Sequence, residues 1–137
     1  MTVFTHGKKT SFKLDNSGGT LQDLSTYLTD VNFPETIDTV DSTTFGANSK
    51  SHAVGLMGGT IALTGHLDPT LDVNLSGVKG QDASISFEYG PQGTGTGMPK
   101  YTGECFLTGY DKGSGIGALA KITANLLVTG DVIKSAY

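Results

Sequence analysis

The chain has 137 residues, with 9 lysine plus arginine against 13 aspartate plus glutamate, a formal net charge of −4, 20 glycines, no tryptophan and one cysteine. That length gives a single domain over residues 1–137, large enough for a real core but too small for a second unit of similar size. The charge balance excludes the clustered positive footprint of a tight nucleic-acid binder, the lone Cys105 excludes an intramolecular disulfide, and no apolar run is long enough to span a bilayer as a helix.

The first nine residues, Met1 to Lys9, carry no long apolar run behind their charges, so the expectation is a chain that is not classically secreted. Ser11 to Asp15 alternates Phe12 and Leu14 with polar residues and stops at Asn16-Ser-Gly-Gly19, which predicts a strand and a turn. Leu21, Leu24 and Leu28 stand at helical spacing and predict a short turn of helix or a bent connector. From Asp30 to Asp38 alternation returns, with Val31, Phe33 and Ile37 on one side. Pro34 confines that strand to an edge or a bulge, open to pairing with another chain.

Between Asp38 and Leu56 acids, hydroxyls and His52 gather with few apolar residues, as in a strand end running into a long, glycine-hinged loop. Thr60 to Asp68 then predicts a strand with Ile61, Leu63 and Leu67 on one face and Thr60, Thr64 and His66 on the other. Asp68-Pro69 reads as a helix N-cap with proline in first position, followed by Leu71 and Leu75 one turn apart and a stop at Gly77. Ser84 to Tyr89 alternates again, Gly90 to Pro99 is a long turn, and Tyr101 to Tyr110 is the expected hairpin partner. After the turn at Gly113–Gly117, Ala120, Ile122, Ala124, Leu126 and Val128 share one face of a last strand, with Lys121, Thr123, Asn125 and Thr129 opposite. The elements together predict a mostly β protein, an antiparallel sandwich or barrel with one short flanking α-helix.

The chemistry-bearing residues form no strong constellation. His66 and Asp68 are two residues apart on a strand and would need His52 or Asp41 to fold over them before a metal site existed; the simpler reading is a polar strand face ending in a helix cap. Asp38, Asp41 and His52 could serve as acid and base, but no nucleophile sits in a strained strand-to-helix turn. Gly113-x-Gly115-x-x-Ala118 matches the loose dinucleotide fingerprint, yet a strand follows it where a helix is required, so it reads as a hairpin turn. Gly93 to Lys100 shares only glycine content with a phosphate loop. Cys105 reads as a small buried strand residue. The expectation is a protein without catalytic residues, cofactor or metal.

Val31-Asn-Phe-Pro-Glu-Thr-Ile-Asp-Thr-Val-Asp-Ser-Thr-Thr-Phe-Gly46, then Gly59-Thr-Ile-Ala-Leu-Thr-Gly-His-Leu-Asp68, Ser86-Phe-Glu-Tyr-Gly-Pro91 and Val128-Thr-Gly-Asp-Val132, in that order and spacing, resemble the tail tube proteins (major tail proteins) of long-tailed bacteriophages. The resemblance runs from about Val31 to the end and has no catalytic signature. It implies a structural virion protein, built in the host bacterial cytoplasm, whose hexameric rings stack into the hollow tail tube that DNA passes through. Implied partners are further copies of the chain and other tail proteins such as tape measure, tail-tip and terminator proteins, with no membrane. The segment holding Asp41, Phe45, Gly46, Asn48, Lys50 and His52 would then reach another subunit. Glu88, Glu104 and Asp111, on or near polar strand faces, become candidates for an acidic lumen lining, with Lys121 working against it. Rival readings are another virion part, such as a tail terminator, tail-tip or capsid decoration protein, a monomeric immunoglobulin-like or carbohydrate-binding module, and an enzyme using His66, Asp68 or Asp41.

Overall fold

In the computed structural model residues 4–137 are described; of the leading stretch read above, Met1–Val3 lie outside them. A 3-10 turn at Gly7–Lys9 leads into β1 (Ser11–Asp15), β2 (Leu21–Asp23), β3 (Leu28–Asn32), β4 (Glu35–Asp41) and β5 (His52–His66). The helix α1 (Pro69–Val78) follows, then β6 (Ile85–Gly90), β7 (Pro99–Gly113) and β8 (Lys121–Ala136). All pairings are antiparallel, in the order β2-β1-β6-β7-β8-β5-β3, with β4 attached to β5 off this path.

Period-two alternation decides which side of this sheet is dry. Phe12 and Leu14, Ile61 and Leu63, Ile85 and Phe87, and Ile122, Ala124, Leu126 and Val128 all point to one side and are buried. The sheet rolls up around them. Phe33, which follows β3 at one end of the strand order, meets Phe87 of β6 edge-on at 5.6 Å and lies 6.3 and 6.4 Å from Tyr89 and Tyr101. Phe12 stacks on Phe87 from the other side at 6.5 Å. The architecture is therefore a single rolled antiparallel sheet with one helix, the barrel-like form of the expected class.

Helix α1 closes the dry side. Asp68 caps it, its Oδ1 accepting from the Thr70 N–H at 2.8 Å, and Pro69 occupies the first turn, as the sequence predicted. The helix runs through Gly77 to Val78, one residue beyond the expected stop, so Leu71, Leu75 and Val78 make a full buried stripe. Burying each of the two leucines is worth about 1.5–3 kcal/mol.

Three expectations are corrected. Leu21 to Leu28 is strand, turn and strand, because the Asp23 carboxylate accepts from Ser25 N–H at 2.9 Å and Ser25 Oγ accepts from Phe12 N–H at 2.9 Å; such local side-chain bonds compete with a helix. The segment Asp30 to Asp38 is two strands, broken at Phe33-Pro34, because proline has no N–H to continue the ladder. Leu67 falls past the end of β5 and is partly exposed, unlike Ile61 and Leu63.

Candidate assembly surfaces

β5 belongs to two ladders. Its second half, Thr60 to His66, pairs with β8 from Leu127 back to Lys121, while its first half leaves β8 and pairs only with β4. The result is an arm. Every residue of β4 and the first seven of β5 are exposed, and the arm bears Ile37, Val40, Val54, Leu56 and Met57 in water. Ile37 faces Met57 and Val40 faces Ala53 across the pair. By strand alternation Met57 lies on the same side as Ile61 and Leu63, so the apolar side of the core runs on, uncovered, along the arm. A cleft of about 380 Å³ at the arm's root separates it from Val128–Val132 of β8.

The sequence reading of Asp38 to Leu56 as a strand end plus a long loop is sharpened here. Only Ser42–Ser51 lies outside strands; Asp41 and His52 are partners on the last rung, and Phe45, Gly46, Asn48 and Lys50 form the exposed tip. Gly46 has a φ of 86°, a conformation other residues adopt only with strain. The tip is braced. Ser42 N–H donates to the Ser51 carbonyl at 2.9 Å, Ser51 N–H donates to Thr43 Oγ1 at 2.8 Å, and Thr43 N–H donates to Asp41 Oδ1 at 2.9 Å. The Thr43 hydroxyl and N–H together hold the Asp41 carboxyl below its ordinary value. That bracing is legible only in hindsight, as hydroxyls at both feet of the loop.

The second surface is the side of the sheet facing away from the core. Glu88 pairs with Lys13 and Thr102, Glu104 with Ser86 and Thr129, and Asp111 with Thr123, so all three predicted carboxylates share this face. Their environments differ. Glu88 is held between Lys13 at 3.4 Å and Lys100 at 3.1 Å, which offsets its charge. Glu104 accepts from Ser84 Oγ at 3.0 Å and from Ser86 Oγ, and Asp111 is exposed. Lys121 shares the face opposite His66 of β5. The two lysines flanking Glu88 were not singled out from sequence, although Lys13 and Glu88 each stand at the polar phase of a predicted strand.

The residues weighed for chemistry stay apart. His52 and His66 open and close one fifteen-residue strand, roughly 45 Å end to end at the usual rise, and Asp68 is committed to the helix cap. Among the described residues no group of three or more His, Cys, Asp or Glu could hold a metal ion. Gly113–Ala118 is the β7–β8 turn. Cys105 is fully buried, and burial, with Glu104 and Asp15 nearby, pushes its thiol up to about 12, the opposite of a nucleophile's shift.

No family model and no curated protein matches the chain. Solved structures do. A structure of the tail of an empty gene transfer agent particle with C6 symmetry superposes with a TM-score of 0.81 at 16% identity, covering 97% of this chain and 100% of that one. The SPP1 tail tube gives 0.77 at 11% identity, covering 97% and 80%. The tube-terminating cap of the anti-feeding prophage gives 0.73 at 11% identity, covering 100% and 94%. At such identities what is shared is the architecture, and this chain has the tail-tube fold.

Proposed function

We propose that the chain is a tail tube subunit, polymerising as stacked hexameric rings around a hollow lumen through which phage DNA passes. The observation that carries this reading is the β4–β5 arm on a tail-tube fold. A two-stranded hairpin is marginal by itself in water, and one with apolar residues along its length calls for a covering surface. In a polymer of identical subunits that surface is supplied by the next copy, through a heterologous contact that closes into a ring or propagates along a filament. The sixfold symmetry of the gene transfer agent tail supports the hexamer.

The polar side of the sheet, with Glu88, Glu104 and Asp111, is the proposed lumen wall. Carboxylates and hydroxyls there favour passage of DNA phosphates over adhesion, with Lys121 on the same face working against them. With Glu88 offset by Lys13 and Lys100, the repulsion falls chiefly to Glu104 and Asp111. The role is structural, in the virion tail, with assembly in the host bacterial cytoplasm and tape measure, tail-tip and terminator proteins as further partners.

A tube-terminating cap is the second reading, supported by the likeness to the anti-feeding prophage cap. The two separate on polymerisation, which a cap does not undergo. The test is sedimentation of the purified chain beside a variant whose tip, residues 44–49, is deleted. The tube reading expects fast-sedimenting polymer from the parent and a folded, non-polymerising variant; equal polymerisation by both would remove the arm from the account.

A further inference from the structure

The arm's receptor is also legible, on the premise that the chain forms rings as proposed above. Among the described residues the arm carries Glu35, Asp38 and Asp41 on β4, against Lys50 at its tip. A cleft of about 730 Å³ lies between residues 4–9 and 92–98. Lys8 and Lys9 rim it, both exposed; Phe4 and Met98 supply apolar surface, and among the described residues no carboxylate lines it and neither lysine is in a salt bridge. The loop that forms its far wall is already fixed, since Gly97 N–H donates to the Tyr137 carbonyl at 2.7 Å and Tyr137 N–H donates to the Met98 carbonyl at 3.0 Å.

Position matches chemistry. From the rung Thr60–Leu127 the arm and the end of β8 both run on toward the same end of the sheet. Pro99 pairs with Ala136 and Ser11 with Gly90, so the cleft lies at that end too. The sheet is rolled, so β3 and the start of β4 come round to β1 and β6: Asp30 and Val31 line a pocket with Lys8, and Glu35 lines one with Tyr89, Pro91 and Tyr101. Beyond that root the arm's strands are exposed, and two complementary patches at one end of the subunit suit a heterologous contact between side-by-side copies in a ring.

We propose that the acidic, apolar β4–β5 arm of one subunit docks in the basic cleft between residues 4–9 and 92–98 of the adjacent subunit in the same ring. Carboxylates of β4 meet Lys8 and Lys9, and the apolar residues of the arm cover Phe4 and Met98.

The test is charge reversal at exposed positions. Lys8→Glu with Lys9→Glu, or Glu35→Lys with Asp38→Lys, should each raise the concentration at which rings sediment at low salt by about tenfold or more, as juxtaposed like charges disfavour a contact. In an equimolar mixture an alternating ring sets the acidic arm of one variant against the unaltered lysines of the other and the lysine-bearing arm against the acidic cleft, so that mixture and a chain carrying all four substitutions should each assemble within about threefold of the parent. Reversals that assemble like the parent, or a fourfold variant no better than either pair, would overturn the proposal while leaving the tube intact. A second readout is independent of tubes: Lys9→Cys and Asp38→Cys chains, mixed and oxidised, should give a crosslinked dimer, and Cys105 is too buried to compete. A crosslink without any tube would sink the tube reading and support the contact; its absence overturns the contact.

Discussion

Ile37 and Met57 stand opposite each other across the β4–β5 pair, 57% and 74% exposed, on the side of the sheet that holds the core. Both are mostly uncovered by the described residues, so replacing both by serine should change the stability of the isolated subunit by no more than about 0.5 kcal/mol. Assembly should nevertheless fail. Thermal melts of the subunit and sedimentation of the polymer read the two effects separately; a large loss of subunit stability would mean the arm packs on its own body.

Tyr110 Oη donates to Asp72 Oδ1 at 2.8 Å, tying β7 to α1. Tyr110→Phe should cost about 1–2 kcal/mol, as for a hydrogen bond to a charged acceptor in a partly exposed place. Burial first, and then the bond to Asp72, raise the phenol above its ordinary value of 10.0. The folded state therefore favours the neutral phenol, so this contribution is complete below pH 10 and is lost as pH rises through the raised folded value. Denaturant titrations should show the parent losing stability at high pH and the phenylalanine variant losing less.

Gly65 lies where β5 passes the bulged start of β3, and a Cβ there would sit 2.3 Å from the Tyr27 carbonyl oxygen and 2.9 Å from Leu28 Cα. Both obstacles are backbone. Gly65→Ala should destabilise the subunit by about 1–3 kcal/mol through a forced shift of β3, measurable by urea unfolding. An unchanged midpoint would contradict this register.

With its thiol raised to about 12 and fully buried, Cys105 should not react with a thiol reagent at pH 8 in the folded protein. Reaction should appear only with unfolding. A fast native-state reaction would place Cys105 elsewhere.

Much of this fold could be read from the chain because the rolled sheet has one dry side, so Phe12 and Leu14, Ile85 and Phe87, and Ile122 to Val128 announce themselves by alternation. The cap at Asp68-Pro69 was equally local. The arm was harder. Ile37 looks like a strand residue of any core, and Val54 and Leu56 fall in the stretch read as loop; that they and Met57 lie exposed on strands follows from β5 changing partners at Thr60, a tertiary fact without a local signature. Likewise the helical spacing of Leu21, Leu24 and Leu28 misled because Ser25 serves the Phe12 N–H, thirteen residues away. The shared face of Glu88, Glu104 and Asp111 followed from strand phase, whereas the lysines that offset Glu88 required knowing that β1 and β7 flank β6.

Polymerisation into a hollow tube is open to electron cryomicroscopy of the purified chain at rising concentration. Sixfold rings stacked into an open-bored tube are expected, with the β4–β5 arm of each subunit against a neighbour and the Glu104–Asp111 face turned to the bore. Discrete monomers at every concentration, or a tube with that sheet face turned outward, would contradict it.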